Sequence, residues 1–137
     1  MKCVIQIVPV TLVMGTIFFL SHQSGDNLDL SSFPGVDKLA HMTAYGVLAL
    51  SVLWFLGKKG LEKPGRTLIV TVLFCFLYGI SDEYHQSFIP LRSVSTFDLF
   101  ADTAGAFCCS LIWFKNKLLQ QKLVNYQRML FEYFSIR

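Results

Sequence analysis

The sequence predicts an all-α membrane protein, with four transmembrane helices in a bundle and a C-terminal amphipathic helix. Three observations predict it. Of 137 residues, 53% are hydrophobic and only 15% are charged, where a soluble domain carries about 25% charge. The apolar residues gather in four runs, and so many runs in a short chain leave too little polar sequence to cover them. Lysine and arginine crowd into alternate connections between the runs, the pattern of a chain threaded back and forth through a bilayer. The same composition excludes a disordered chain, a coiled coil and a module built on a basic nucleic-acid-binding surface, so no nucleic-acid partner is expected.

The first run covers residues 3–20, CVIQIVPVTLVMGTIFFL. It is longer than the core of a secretory signal, and the SHQSG that follows offers no A-x-A-like cleavage site, so an uncleaved spanning helix is expected. The second run is 39–56, LAHMTAYGVLALSVLWFL, and the third is 67–80, TLIVTVLFCFLYGI, extending through Ser81 to Asp82 and Glu83. The fourth is 97–114, FDLFADTAGAFCCSLIWF. A hydrocarbon core about 30 Å thick takes about 20 residues of helix, so each run reaches across only with its polar flank, and a cavity at one end is expected. Beyond the fourth run, Leu119, Leu123, Tyr126, Leu130 and Tyr133 recur at helical spacing among Lys and Gln. That spacing predicts an amphipathic helix, continuing the fourth helix or lying along the inner surface. With no repeat or low-complexity linker, residues 1–114 read as one transmembrane domain and 115–137 as its cytoplasmic tail. Cys3, Cys75, Cys108 and Cys109 form no C-x-x-C pair and read as small apolar residues.

Orientation follows from the basic residues. The connection 21–38 carries Lys38 beside Asp26, Asp29 and Asp37, and the third connection carries only Arg92. The middle connection holds Lys58, Lys59, Lys63 and Arg66, and the tail holds Lys115, Lys117, Lys122, Arg128 and Arg137. Both termini and the middle connection are therefore expected in the cytoplasm, with 21–38 and about 82–97 outside.

Charge at a membrane boundary is costly and marks function by default. Here it is gathered. Asp37, His41 and Tyr45 repeat every fourth residue and share one face at the start of the second helix. Asp82, His85 and Gln86 share a face at the end of the third, with Glu83 beside them; Asp98, Asp102 and Gly105 share one at the start of the fourth. The topology, argued from Lys and Arg alone, carries all three faces to the same side. Between them Pro90 ends the third helix or turns the chain, and Ser93, Ser95 and Thr96 can cap the fourth helix.

On these residues the chain resembles the VanZ-like family of small membrane proteins. The resemblance lies in SHQSG, in DKLAHMTAY with its H-x-x-x-Y of His41 and Tyr45, and above all in DEYHQSFIPLRSVSTFDLFADTAG. There the family pattern D-E-x-x-Q-x-F-x-P-x-R, then five residues, then D-x-x-x-D-x-x-G, is filled by Asp82, Glu83, Gln86, Phe88, Pro90, Arg92, Asp98, Asp102 and Gly105. Leu91 stands where Gly is common in the family, and His22 and Ser24 depart from its usual turn. The resemblance covers about residues 5–114. It implies a multi-pass protein of the bacterial cytoplasmic membrane, with a role in the cell envelope and in reduced susceptibility to the glycopeptide teicoplanin.

Three kinds of role fit the cluster. As an enzyme on a lipid-linked or cell-wall substrate, Asp82 and Glu83 supply a general base, His41 or His85 an acid or base, and Arg92 a clamp for phosphate or carboxylate. As a binding module, Tyr45, Gln86, Arg92, Asp98 and Asp102 hold a headgroup, a glycopeptide or a partner membrane protein. As a structural lock, Arg92 pairs with Asp98 or Asp82, and His41 bonds to a carboxylate. Asp82 with His85, and Asp98 with Asp102, have ligand spacing, but no H-E-x-x-H occurs, so no metal is assigned and no cofactor is named. Gly79 and Gly105 read as close-packing positions.

Overall fold

The computed structural model describes residues 2–24 and 35–135. The chain forms five helices: α1 (Lys2–Ser21), α2 (Val36–Glu62), α3 (Pro64–Gln86), α4 (Thr96–Lys115) and α5 (Lys117–Ser135). Gly25, Asp26, Asp29 and Arg137, which entered the orientation and motif readings, lie outside the described residues. The first four helices are each long and apolar enough to cross a membrane. Their outward surfaces carry Leu12, Ile69, Phe97 and Phe100 at 65–76% exposure. In water such a surface aggregates; toward acyl chains it costs nothing.

α2 is the hub. Its Tyr45, Leu48, Ala49 and Val52 form the core with Val10 and Ile17 of α1, Cys75 of α3 and Ala106 of α4. The packing is closest where α2 crosses α4. A Cβ at Gly105 would overlap the backbone carbonyl of Met42, and one at Gly46 would lie 2.9 Å from Cys109 Sγ. Only glycine lets two backbones approach so closely, the small-residue solution of membrane bundles.

α2 does not run straight. Gly57 has φ 51° and ψ −135°, which breaks the helix while it continues in a new direction to Glu62. Pro64 then starts α3 after the single residue Lys63, proline being suited to a first helical turn. Thr67 Oγ1 ties the corner by donating to Gly60 O at 2.9 Å. The break displaces the amides that follow it. Gln127 of α5, 3% exposed, donates from Nε2 to Trp54 O at 2.8 Å, and a Cβ at Gly57 would overlap that same side chain. Trp54 in turn donates its indole N–H to Ile5 O at 3.1 Å. Ile5 O is the carbonyl that Pro9, lacking an N–H, cannot satisfy inside α1.

α5 is a helix of its own, because Asn116 (φ −107°, ψ 93°) leaves the helical region. It packs on α1, α2 and α4. Its inward face is Val124 and Gln127, with Leu119, Leu123, Leu130 and Phe131 partly covered. Tyr126 and Tyr133, on the stripe read from the sequence, are 61% and 54% exposed beside exposed Leu118 and Met129. The stripe read from the sequence mixes two faces, one turned to the bundle and one turned away from it.

Candidate functional site

The direction of each helix brings the C-terminal ends of α1 and α3 beside the N-terminal starts of α2 and α4. Hydrogen bonds tie this end together. Ser21 Oγ donates to Asp82 Oδ2 at 2.8 Å, and Gln86 Nε2 donates to the same oxygen at 3.1 Å. His41 Nδ1 donates to Asp102 Oδ1 at 2.9 Å. Lys38 bridges Asp98 and Asp37. The backbone N–H of Ser95 donates to Glu83 Oε2 at 2.8 Å. Ser95 stands at the N-cap of α4 but makes no capping bond with its side chain, and neither Ser93 nor Thr96 takes that place.

Most of the expected site residues gather in the cluster, with His85 and Arg92 turned elsewhere. Asp82, Glu83, Gln86, Asp98 and Asp102 are buried, as is Tyr45 one helical turn deeper. His41 is partly buried, and Asp37 sits at the rim. Gly79 marks how near the helices come: its missing Cβ would lie 3.4 Å from Asp102 Oδ2 and 3.5 Å from Tyr45 Cε1. His85 faces a different neighbour, with its Nε2 3.2 Å from His22 Nδ1 and its ring tilted against Phe18.

His41 does bond a carboxylate, Asp102, but Arg92 pairs with neither Asp98 nor Asp82. Its Nε and Nη2 donate to Gln23 O and Leu20 O at 3.2 and 3.1 Å, capping the C-terminal end of α1, where a cation is favoured by the helix dipole. The cation on Asp98 is Lys38. The sequence reading missed Lys38, counting it only as the lone basic residue of its connection. Its signal was position: it adjoins Asp37 on a rim where cations are scarce. The turn that carries Arg92 holds Leu91 at φ 61°, a left-handed conformation that glycine adopts without strain.

The electrostatic balance is uneven. Among the described residues, Lys38 pairs with Asp37 and Asp98, while Arg92 is turned to the carbonyls of α1. Glu83 feels the repulsion of Asp98 and Asp102, and Asp102 that of Asp82 and Asp98. Each of the three most buried acids has one oxygen paired and one not. Asp82 Oδ1, Glu83 Oε1 and Asp102 Oδ2 are buried without a hydrogen-bond partner, as is Tyr45 Oη. Burying an unpaired polar atom costs about 1–3 kcal/mol, and more for a charged group. Among the described residues no three His, Cys, Asp or Glu side chains converge as a metal site. A groove of about 290 Å³ between α3 and α4 reaches the cluster at Glu83, with Ile80, Tyr84, Val94 and Leu99 among its walls.

The sequence profile described as VanZ/LLP1 matches residues 5–120. No curated protein and no solved structure matches the chain.

Proposed function

Because this chain belongs to the VanZ/LLP1 family of membrane proteins, we propose that its carboxylate-rich end faces the outside of the bacterial cytoplasmic membrane and binds a lipid-linked or cell-wall component there. In this reading its activity lowers susceptibility to glycopeptides such as teicoplanin, and both termini are cytoplasmic.

One observation carries the reading. Four helices contribute to one polar cluster, yet the cluster leaves an oxygen unpaired on each of three buried acids. A lock built only to hold helices together gains nothing from unpaired charge, since leaving it buried is destabilising. A site that meets a ligand has that capacity to spare. The orientation rests on Lys58, Lys59, Lys63 and Arg66 at the opposite end, with Lys117, Lys122 and Arg128 on α5. Exposed Leu118, Tyr126 and Met129 suit α5 to the inner headgroup layer, with its cations on anionic lipid.

A second reading, an enzyme on the same class of substrate, is favoured by His41. Its Nδ1 is committed to Asp102, which leaves Nε2 as the lone-pair nitrogen of the neutral ring, the arrangement of a positioned general base.

The test has two parts. A C-terminal fluorescent fusion should be bright and a C-terminal alkaline phosphatase fusion silent; the reverse overturns the orientation. Teicoplanin susceptibility of cells expressing Glu83→Gln and Asp82→Asn should return to that of cells lacking the protein. Full protection by both variants, at normal abundance, overturns the role of the cluster.

A further inference from the structure

We propose that the turn between α3 and α4, residues 87–95, is a membrane anchor: Phe88, Leu91 and Val94 lie in the headgroup layer at the carboxylate end and reach the acyl chains beneath it. The partner is the bilayer itself, and the inference is independent of what the carboxylates bind.

The turn is built inside out for a loop in water, where polar groups face the solvent. Most of its polar groups are turned inward. Arg92 donates from Nε and Nη2 to Gln23 O and Leu20 O at the end of α1. The Ser95 N–H donates to Glu83 Oε2, and the Ser87 hydroxyl to Tyr84 O. Ser93 is exposed, a small hydroxyl at home among headgroups. The apolar side chains face out: Leu91 is 72% exposed, Phe88 68% and Val94 56%. The inward bonds tie the turn to α1 and α3, so the fold itself presents this apolar face. Leu91 adds a cost that needs a return. At φ 61° it holds the left-handed conformation, which a leucine adopts only with strain. In water its exposed side chain gives nothing back, whereas among acyl chains its burial offsets the strain.

Two observations name lipid as the occupant. The first is continuity with the surface that α3 and α4 turn to the bilayer. The Phe88 ring packs edge-on against exposed Tyr84 of α3, ring centroids 5.1 Å apart, and exposed Phe97 and Phe100 extend the patch along α4. The second is depth. From Arg66 to Gln86, α3 rises about 30 Å at 1.5 Å per residue, the thickness of the hydrocarbon core. With Arg66 in the opposite headgroup layer, Gln86 stands at the near boundary, a level that favours the ring of Tyr84, and the turn follows it there. The same turn holds Glu83 through the Ser95 N–H and the end of α1 through Arg92. The anchor therefore also sets the depth of the carboxylates, close beneath the headgroups.

The experiment uses the full chain in phosphatidylcholine vesicles, with Leu91→Trp and, separately, Val94→Trp as reporters. The wild-type emission of Trp54 and Trp113, which belong to the other half of the bundle, is subtracted. The added emission should be blue-shifted from that of tryptophan in water. It should lose most of its intensity to lipids brominated high on the acyl chain and less to lipids brominated near the chain end. Iodide on both sides of the membrane should leave it unchanged. Loss to iodide without loss to brominated lipid places the turn in water and overturns the anchor. A blue shift that neither quencher touches means that protein covers the turn, a second copy or another segment of this chain, and overturns it as well. The unaltered chain supplies a test that needs no variant to fold. A phosphatidylcholine carrying a diazirine high on its acyl chain should label Phe88, Leu91 or Val94 on illumination. Label confined to the spanning helices overturns the anchor.

Discussion

The two ends of the bundle treat their polar groups in opposite ways. At the kinked end the helical hydrogen-bond ladder is interrupted twice, by Pro9, which brings no N–H to α1, and by the break at Gly57 in α2, and side chains repair the damage: Trp54 donates to Ile5 O, and Gln127 donates to Trp54 O. At the other end three buried acids keep an unpaired oxygen each. Unpaired atoms occur elsewhere too, at Thr71, Ser110 and Trp113, but these are neutral groups. The chain pairs a buried backbone carbonyl where folding needs it. The surplus of acceptors at the carboxylate end is what the proposed ligand role would use.

The largest expected effect breaks both ends together. Gly105 sits where α4 meets the backbone of α2, and a Cβ there collides with a carbonyl rather than with a movable side chain. Gly105→Ala should cost about 3 kcal/mol or prevent accumulation in the membrane, the upper range for overpacking. Protein level in membranes and thermal unfolding in detergent measure it. Normal level and unchanged unfolding would show that the α2–α4 crossing can open freely.

The next change acts on the kinked end alone. Gln127→Ala leaves Trp54 O without its donor, and about 1–3 kcal/mol of stability should be lost. Protection from teicoplanin should survive wherever the variant still accumulates. A loss of protection without a loss of stability would join the two ends functionally and dissolve the contrast between them.

At the carboxylate end the sign should reverse. Glu83→Gln removes a charge whose Oε1 has no partner, while the amide oxygen of the new side chain can still accept from Ser95 N–H. Unfolding in detergent should be unchanged or shifted upward by about 1 kcal/mol, because a buried uncompensated charge is relieved. Destabilisation of about 2 kcal/mol or more, a size expected for breaking a paired charge, would mark Glu83 as a structural lock.

The contrast also separates what was legible in the sequence from what was not. The four spanning helices and the gathering of Asp82, Glu83, Asp98, Asp102 and His41 at one end were legible, because apolar run length and helical spacing act locally. The partners were not. Whether Asp98 meets Arg92 or Lys38 depends on the path of the α3–α4 turn, with Leu91 at φ 61°, which no local pattern fixes. The kink was hidden for the same reason. Gly57 is followed by Lys58 and Lys59 and reads as the end of a run, and only α5, folded back against it, turns that end into a bend within a longer helix. The stripe that holds Tyr126 and Tyr133 was legible, but not which of its residues the bundle covers, because periodicity gives a stripe without saying which neighbour packs on it.

The smallest effect tests the repair at Pro9 most directly. Trp54→Phe keeps the ring bulk and removes the indole N–H, so Ile5 O loses its donor, at about 0.6–1 kcal/mol in a membrane bundle. Pro9→Ala should supply a substitute, since alanine has the N–H that a continuous helix directs to Ile5 O. In the background of Pro9→Ala, Trp54→Phe should therefore cost little, and the double-mutant cycle should show a coupling of about 0.5 kcal/mol or more. The two positions are otherwise independent changes on different helices, so additivity is the outcome if Trp54 contributes only its volume. Additive losses in thermal unfolding would mean that the indole bond to Ile5 O stabilises nothing. In that case the kinked end would tolerate an orphaned carbonyl as readily as the carboxylate end tolerates its unpaired oxygens.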